Sequence, residues 1–151
     1  MLYIGADHRG YALKEALKKF LKELHYDFED LGALQLDPTD DYPDYAYAVA
    51  KKVAENLKEN RGILICGSGV GADVTANKVR GVRSALCFTV AQAKASRNDD
   101  DSNILTLASD FISEDLAKEI VKMWLETPFG GAERYIRRIN KIKNIEEGTF
   151  R

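Results

Sequence analysis

Arg61-Gly62-Ile63-Leu64-Ile65-Cys66-Gly67-Ser68-Gly69-Val70-Gly71 opens the stretch that decides the fold, and the stretch runs on through ADVTANKVRGVR to Arg83. Gly62 to Cys66 is a short apolar run, rich in β-branched residues and free of charge. It reads as a strand buried on both faces of a parallel sheet. Glycines at 67, 69 and 71 let the backbone turn sharply and come close to a ligand. From Ala72 the pattern turns helical, with Val74, Asn77 and Lys78 before Gly81 stops it. A strand, a glycine turn and a helix N-terminus together offer backbone N–H groups to an anion. Cys66 stands at the mouth of that turn, where a thiolate should be stabilised. The turn is neither a dinucleotide fingerprint, because Ala72 stands where the third glycine belongs, nor a P-loop, because no Gly-Lys-Ser/Thr follows. On the residues alone, a ligand-free turn and a buried structural thiol stand beside an anion site with a reactive cysteine.

The rest of the chain supplies the sheet around this strand. Leu2 to Ala6 reads as the first strand, with Asp7, His8, Arg9 and Gly10 as its turn. Leu13, Ala16, Leu17, Phe20, Leu21 and Leu24 form a helical stripe. Asp27 to Leu31 is a short strand ended by Gly32, and residues 33–44 read as an Asp-rich loop with Pro38 and Pro43. Ala46 to Leu57 carries a second helical stripe. Ser84 to Phe88 reads as the fourth strand, residues 90–97 as a short helix, and Asn98 to Ser102 as a polar loop. Ile104 to Leu107 is the fifth strand. A helix through Trp124 follows, and after Gly130-Gly131 a last helix carries Ile136, Ile139 and Ile142. Strands alternating with helices imply a Rossmann-like three-layer α/β/α sandwich with a five-stranded parallel sheet and an extra C-terminal helix. In such folds ligands sit at the carboxyl ends of the strands. The Asp7-His8 turn, the Cys66 turn and the Asp99–Asp101 run are all expected there.

Composition narrows the class. The 151 residues suit one domain, and 45% hydrophobic with 30% charged content is that of a water-soluble globular chain. A net charge of −2 gives no basic field for nucleic acid. Two cysteines at the ends of apolar runs point to a reducing cytoplasm rather than a disulfide framework. The first apolar run is too short for a signal peptide, and no stretch is long enough to span a membrane.

The segment Cys66-Gly67-Ser68-Gly69-Val70-Gly71, followed by Ala76-Asn77-Lys78-Val79-Arg80-Gly81-Val82-Arg83, resembles the type B ribose-5-phosphate isomerases, which share a family with the subunits of galactose-6-phosphate isomerase. The resemblance extends to Gly5-Ala6-Asp7-His8-Arg9-Gly10, Asp41-Tyr42-Pro43-Asp44 and Trp124-Leu125-Glu126-Thr127-Pro128-Phe129, in the same order along the chain. It implies an aldose–ketose isomerase that works without a cofactor or a metal. Cys66 would be the proton-transfer base. The enediolate would be held by the backbone N–H groups of Gly67, Gly69, Val70 and Gly71, with the Ser68 hydroxyl assisting. Asp7 would contact the sugar hydroxyls or ring oxygen, and His8 the phosphate. Tyr42 would wall the sugar pocket. Arg134 and Arg138, four apart on one helix face, would bind phosphate through planar guanidinium forks.

One stretch departs from the family pattern. The family's loop reads Ser-Arg-x-His-Asn-Asp-x-Asn, and this chain reads Ser96-Arg97-Asn98-Asp99-Asp100-Asp101-Ser102-Asn103. Asp99 takes the place of the ring-opening histidine, and Asp100 that of the asparagine that holds the enediolate. The unperturbed pKa of an aspartate, about 3.9, is poorly matched to neutral pH, and neighbouring carboxylates can raise it. Three readings stay open. Asp99 acts in an active ribose-5-phosphate isomerase, or the pocket suits another phosphosugar such as an allose or galactose 6-phosphate, or the chain is a non-catalytic sugar-phosphate-binding subunit. The resemblance also implies a homodimer, or a dimer of dimers, with active sites at the subunit interface.

Overall fold

The computed structural model describes residues 1–151. Five parallel strands form one sheet: β1 (Leu2–Ala6), β2 (Phe28–Asp30), β3 (Arg61–Cys66), β4 (Ser84–Leu86) and β5 (Ile104–Ala108). Their order in space is β2-β1-β3-β5-β4. Helices follow the strands: α1 (Tyr11–Glu23), α2 (Tyr42–Glu55), α3 (Val70–Ala76), α4 (Val90–Asp100) and α5 (Glu114–Glu126), with α6 (Glu133–Glu146) added at the C-terminus. The three central strands are apolar on both faces because helices cover both. One core joins Ile4, Ile63, Ile65, Leu105 and Leu107 to Leu17 and Leu21 of α1, Ala93 of α4, and Ile120 and Trp124 of α5. The other joins Tyr3, Leu64 and Cys66 to Val49 and Val53 of α2 and Ala72 and Ala76 of α3. The expected three-layer sandwich is therefore present, and α6 buries none of its residues.

The register sets the position of the site. Ala6 pairs with Ile65 and Cys66 with Ala108, so β1, β3 and β5 end side by side. From β1 the chain crosses to one side, to β2, and from β3 to the other. The crevice between the ends of β1 and β3 is the switch point at which open parallel sheets bind ligands.

Boundaries differ most from the sequence reading at four elements. α2 begins at Tyr42 rather than Ala46, because Pro43 sits in its first turn, where a missing N–H costs nothing. α3 ends at Ala76, short of Gly81, and hydrogen-bonded turns fill the gap. β4 stops at Leu86, and Thr89 then caps α4 by accepting from the Gln92 N–H at 3.1 Å. The largest difference is α4 itself, which runs on to Asp100, so Asn98, Asp99 and Asp100 are helical and not loop.

Trp124, the sole tryptophan, is fully buried beneath the end of α4. Its indole N–H donates to Ser102 Oγ at 2.8 Å, and Ser102 Oγ donates in turn to Ser96 Oγ at 2.9 Å. The Arg61 and Arg97 guanidinium groups lie 5.8 Å and 5.7 Å from its ring centroid. Arg97 also donates to Asp101 Oδ1 and to the Ser102 carbonyl. This network fixes the turn from α4 into β5.

Candidate active site

The β1 turn and the β3 turn meet at the switch point. Asp7 is buried, and its two oxygens have separate tasks. Oδ1 accepts the Gly10 N–H at 2.9 Å, closing the turn into α1, and Oδ2 accepts the Cys66 thiol at 3.1 Å. Cys66 is only 7% exposed. Burial, then the hydrogen bond and charge of Asp7, push the thiol up to about 11, against the opposing pull of the Gly67 and Gly69 N–H groups. The expected resting thiolate is thereby corrected. Desolvation and a neighbouring carboxylate outweigh the amides of the turn, and Cys66 rests as a thiol that donates to Asp7.

The turn needs its glycines. Gly69 has φ +76, a left-handed conformation, and a Cβ there would lie 2.5 Å from Leu86 Cδ1. A Cβ on Gly71 would strike the Tyr42 ring at 2.5 Å, so the first residue of α2 packs directly on the turn. Tyr42 is 41% exposed and forms a wall beside it. Ser68 is exposed and accepts the Val70 N–H at 3.4 Å. His8 is half-buried and anchored twice by one carboxylate. Its backbone N–H donates to Asp40 Oδ1 at 3.1 Å, and its Nδ1 lies 2.6 Å from the same atom. With Nδ1 so engaged, Nε2 is the ring's free nitrogen. Arg9 lies over Gly67 and is ion-paired to Asp110.

Asp7, His8, Tyr42, Cys66, Gly67, Ser68, Gly69, Val70 and Gly71 are thus gathered at one edge of the sheet. The remaining expected site residues lie at the other. Asp99 and Asp100 close α4 just before β5 begins, so they sit at the amino edge and not at the carboxyl edge expected for them. The 11 residues of α4 span about 16 Å. Arg134, Tyr135 and Arg138 of α6 surround Asp99 there. Hydrogen bonds from Asn98 and Tyr135, then the charges of Arg134 and Arg138, hold the Asp99 carboxyl below the usual carboxylate range. The expected upward displacement of Asp99 is corrected by these donors. Asp100 behaves in the opposite way, its carboxyl raised by desolvation and then by the charge of Asp99.

One chain therefore carries two half-sites that do not meet. None of its five principal cavities, of about 240 to 430 Å³, is lined by Cys66. No three His, Cys, Asp or Glu side chains converge as a bound metal ion would require, and no helix is long and apolar enough to cross a membrane. Asp40 and Arg9 were not marked by the sequence, since each acquires its place through a partner distant along the chain.

Comparison with known proteins identifies the family. The sequence model of the Ribose/Galactose Isomerase family matches residues 2–142. A putative sugar phosphate isomerase of Bacillus subtilis is 43% identical over 144 residues, 95% of each chain. The ribose-5-phosphate isomerase B of Escherichia coli is 38% identical over 143 residues, covering 95% of this chain and 94% of that one. Among solved structures, ribose-5-phosphate isomerase B from Mycoplasma genitalium with bound ribulose-5-phosphate superposes with a TM-score of 0.94 at 41% identity, covering 97% of this chain and 95% of that one. Sequence and fold together, over nearly the whole length, make this chain a member of the ribose/galactose isomerase family.

Proposed function

We propose that the chain is a type B ribose-5-phosphate isomerase, interconverting ribose 5-phosphate and ribulose 5-phosphate through a cis-enediolate. The observation that carries this reading is the hydrogen-bonded Cys66–Asp7 pair against the glycine turn at the sheet's switch point. The ribulose-5-phosphate held by the Mycoplasma genitalium relative supports the substrate class.

The reaction removes the C2 proton of the open-chain aldose, places the electrons in a C1–C2 enediolate, and returns a proton to C1. Cys66 is the group that moves this proton. Because it rests as a thiol, its own proton must first pass to Asp7, whose Oδ2 already accepts it. The N–H groups of Gly67, Gly69, Val70 and Gly71 then face the developing enediolate oxygens, with Ser68 beside them. His8 is fixed by Asp40 to offer Nε2 to the phosphate, and Tyr42 bounds the sugar.

The amino-edge residues complete the site from a second copy of the chain. In this homodimer each pocket takes Cys66 from one subunit and Asp99, Asp100, Arg134 and Arg138 from the other. Ionised Asp99 accepts the O1 proton as the C1–ring-oxygen bond breaks, and the ring oxygen takes up a proton from water to become the hydroxyl. Asp100, its carboxyl raised by burial and by the charge of Asp99, stands beside the enediolate. Arg134 and Arg138 bind phosphate.

The test is conversion of ribose 5-phosphate by purified protein with a chelator present, alongside Cys66→Ala, with the mass in solution measured by light scattering. Turnover that vanishes in the variant, from a species of at least two chains, is expected. A wild-type protein inert toward ribose 5-phosphate, or a monomer with full activity, would overturn the reading.

A further inference from the structure

Five loops leave the carboxyl ends of the strands: residues 7–10, 31–41, 67–69, 87–89 and 109–113. They contain five aspartates (Asp7, Asp37, Asp40, Asp41 and Asp110) and one residue that is lysine or arginine, Arg9. An anionic substrate therefore meets an acidic rim with a single permanent cation on it. That cation is held in place. A Cβ on Gly67 would lie 2.6 Å from Arg9 Nε and 2.8 Å from Cζ, so the guanidinium rests on the glycine turn next to Cys66. Asp110 grips its Nη2. Asp110 is itself fixed, since its N–H donates to the Gly67 carbonyl at 3.0 Å. Ser109 Oγ donates to the Arg9 carbonyl at 3.0 Å and to the Cys66 carbonyl at 3.1 Å.

A solvated ion pair has no need of this bracing. The Arg9 side chain is 58% exposed and Asp110 engages one side of the fork only. Asp110 takes one Nη2 hydrogen, so one complete edge of the guanidinium, Nη1 with Nη2 or Nε with Nη2, is left to donate in the bidentate geometry suited to a phosphate. The neighbouring residue, His8, presents its free nitrogen at the same turn.

We propose that Arg9 is a substrate-binding residue of this chain, a guanidinium braced by Asp110 that binds the phosphate of the sugar phosphate alongside His8. The inference rests on the isomerase reading. It assigns the subunit that holds Cys66 its own permanent cation, in addition to Arg134 and Arg138 arriving from the partner.

The experiment is calorimetric titration of ribose 5-phosphate and of inorganic phosphate into Cys66→Ala protein, with and without Arg9→Ala, Arg9→Lys or Asp110→Ala. Binding is then read without turnover, and thermal melts check folding. Loss of a charge-assisted phosphate contact should weaken both ligands about tenfold or more in Arg9→Ala. Arg9→Lys should fall between, because it keeps the charge and loses the fork. Asp110→Ala should melt like Arg9→Ala yet retain more affinity. Affinities within twofold across the Arg9 variants would overturn the inference and leave the isomerase reading standing. No binding of ribose 5-phosphate by the Cys66→Ala parent would overturn both.

Discussion

The ionisation of Cys66 is the most exacting test of the proposed chemistry. Its thiol lies near 11 against an ordinary value of 9.0, from burial first and Asp7 second. At pH 7 about one chain in ten thousand would then carry the thiolate, and the fraction would grow about tenfold for each pH unit up to pH 10. Alkylation by iodoacetamide, quenched and mapped by mass spectrometry, should accelerate in that proportion at Cys66. Because the proposed proton transfer stays within the Cys66–Asp7 pair, the reactive form holds as many protons as the resting one, and kcat/KM should stay flat over the same range while alkylation climbs. Asp7→Asn removes the like charge and leaves burial in place, so the alkylation midpoint should fall by about one pH unit, toward 9.0. Cys87, also near 11 and chiefly from burial, should not move and serves as the internal control. A Cys66 midpoint below about 8 in the wild type would refute the reasoning. It would mean that the amides of the glycine turn outweigh both burial and Asp7.

Three further outcomes are expected. Gly69→Ala forces a side chain onto φ +76 and into Leu86, and should lower stability by about 2–3 kcal/mol in urea unfolding. A loss under about 0.5 kcal/mol would mean that the turn relaxes freely. Asp40→Ala should raise KM for ribose 5-phosphate more than it lowers kcat, and imidazole 15N spectra should show His8 losing its Nδ1 hydrogen bond while His25, the one other histidine, stays unchanged. Mixing Cys66→Ala chains with Arg138→Ala chains should recover activity that neither has alone, since one pocket of each mixed dimer collects both lesions and the other is intact. No recovery after subunit exchange would show that the two half-sites are not shared between chains.

The glycine turn was legible because its residues act locally. An uncharged β-branched run, three alternate glycines and a cysteine specify strand, turn and mouth with no information from elsewhere in the chain. The end of α4 was misread because Asn98, Asp99 and Asp100 are poor helix formers that favour turns. The Thr89 cap, the buried Ala93 and Ser96, and the Arg97 contacts hold the helix through them. That one error also placed Asp99 at the wrong edge, since a loop and a helix end deliver it to different ends of the strand. Arg9 with Asp110, and His8 with Asp40, are 101 and 32 residues apart. No pattern along the chain marks such pairs, and only the strand order brings them together. The Cys66 thiol was misjudged for the same reason, because its burial, and then Asp7 just past the end of β1, come from the assembled sheet and not from the glycine turn beside it.

The buried indole of Trp124 gives the amino-edge half-site an optical reporter. Tryptophan emission from this chain has one source, and that source is hydrogen-bonded to Ser102, two residues beyond Asp100, with two guanidinium groups close to its ring. Both the wavelength and the quenching of its fluorescence follow how Arg97 and Ser102 hold the end of α4. Engagement of Asp99 and Asp100 by a sugar phosphate is thus readable as a change of emission, at the edge of the sheet opposite the reacting sulfur and with no turnover required.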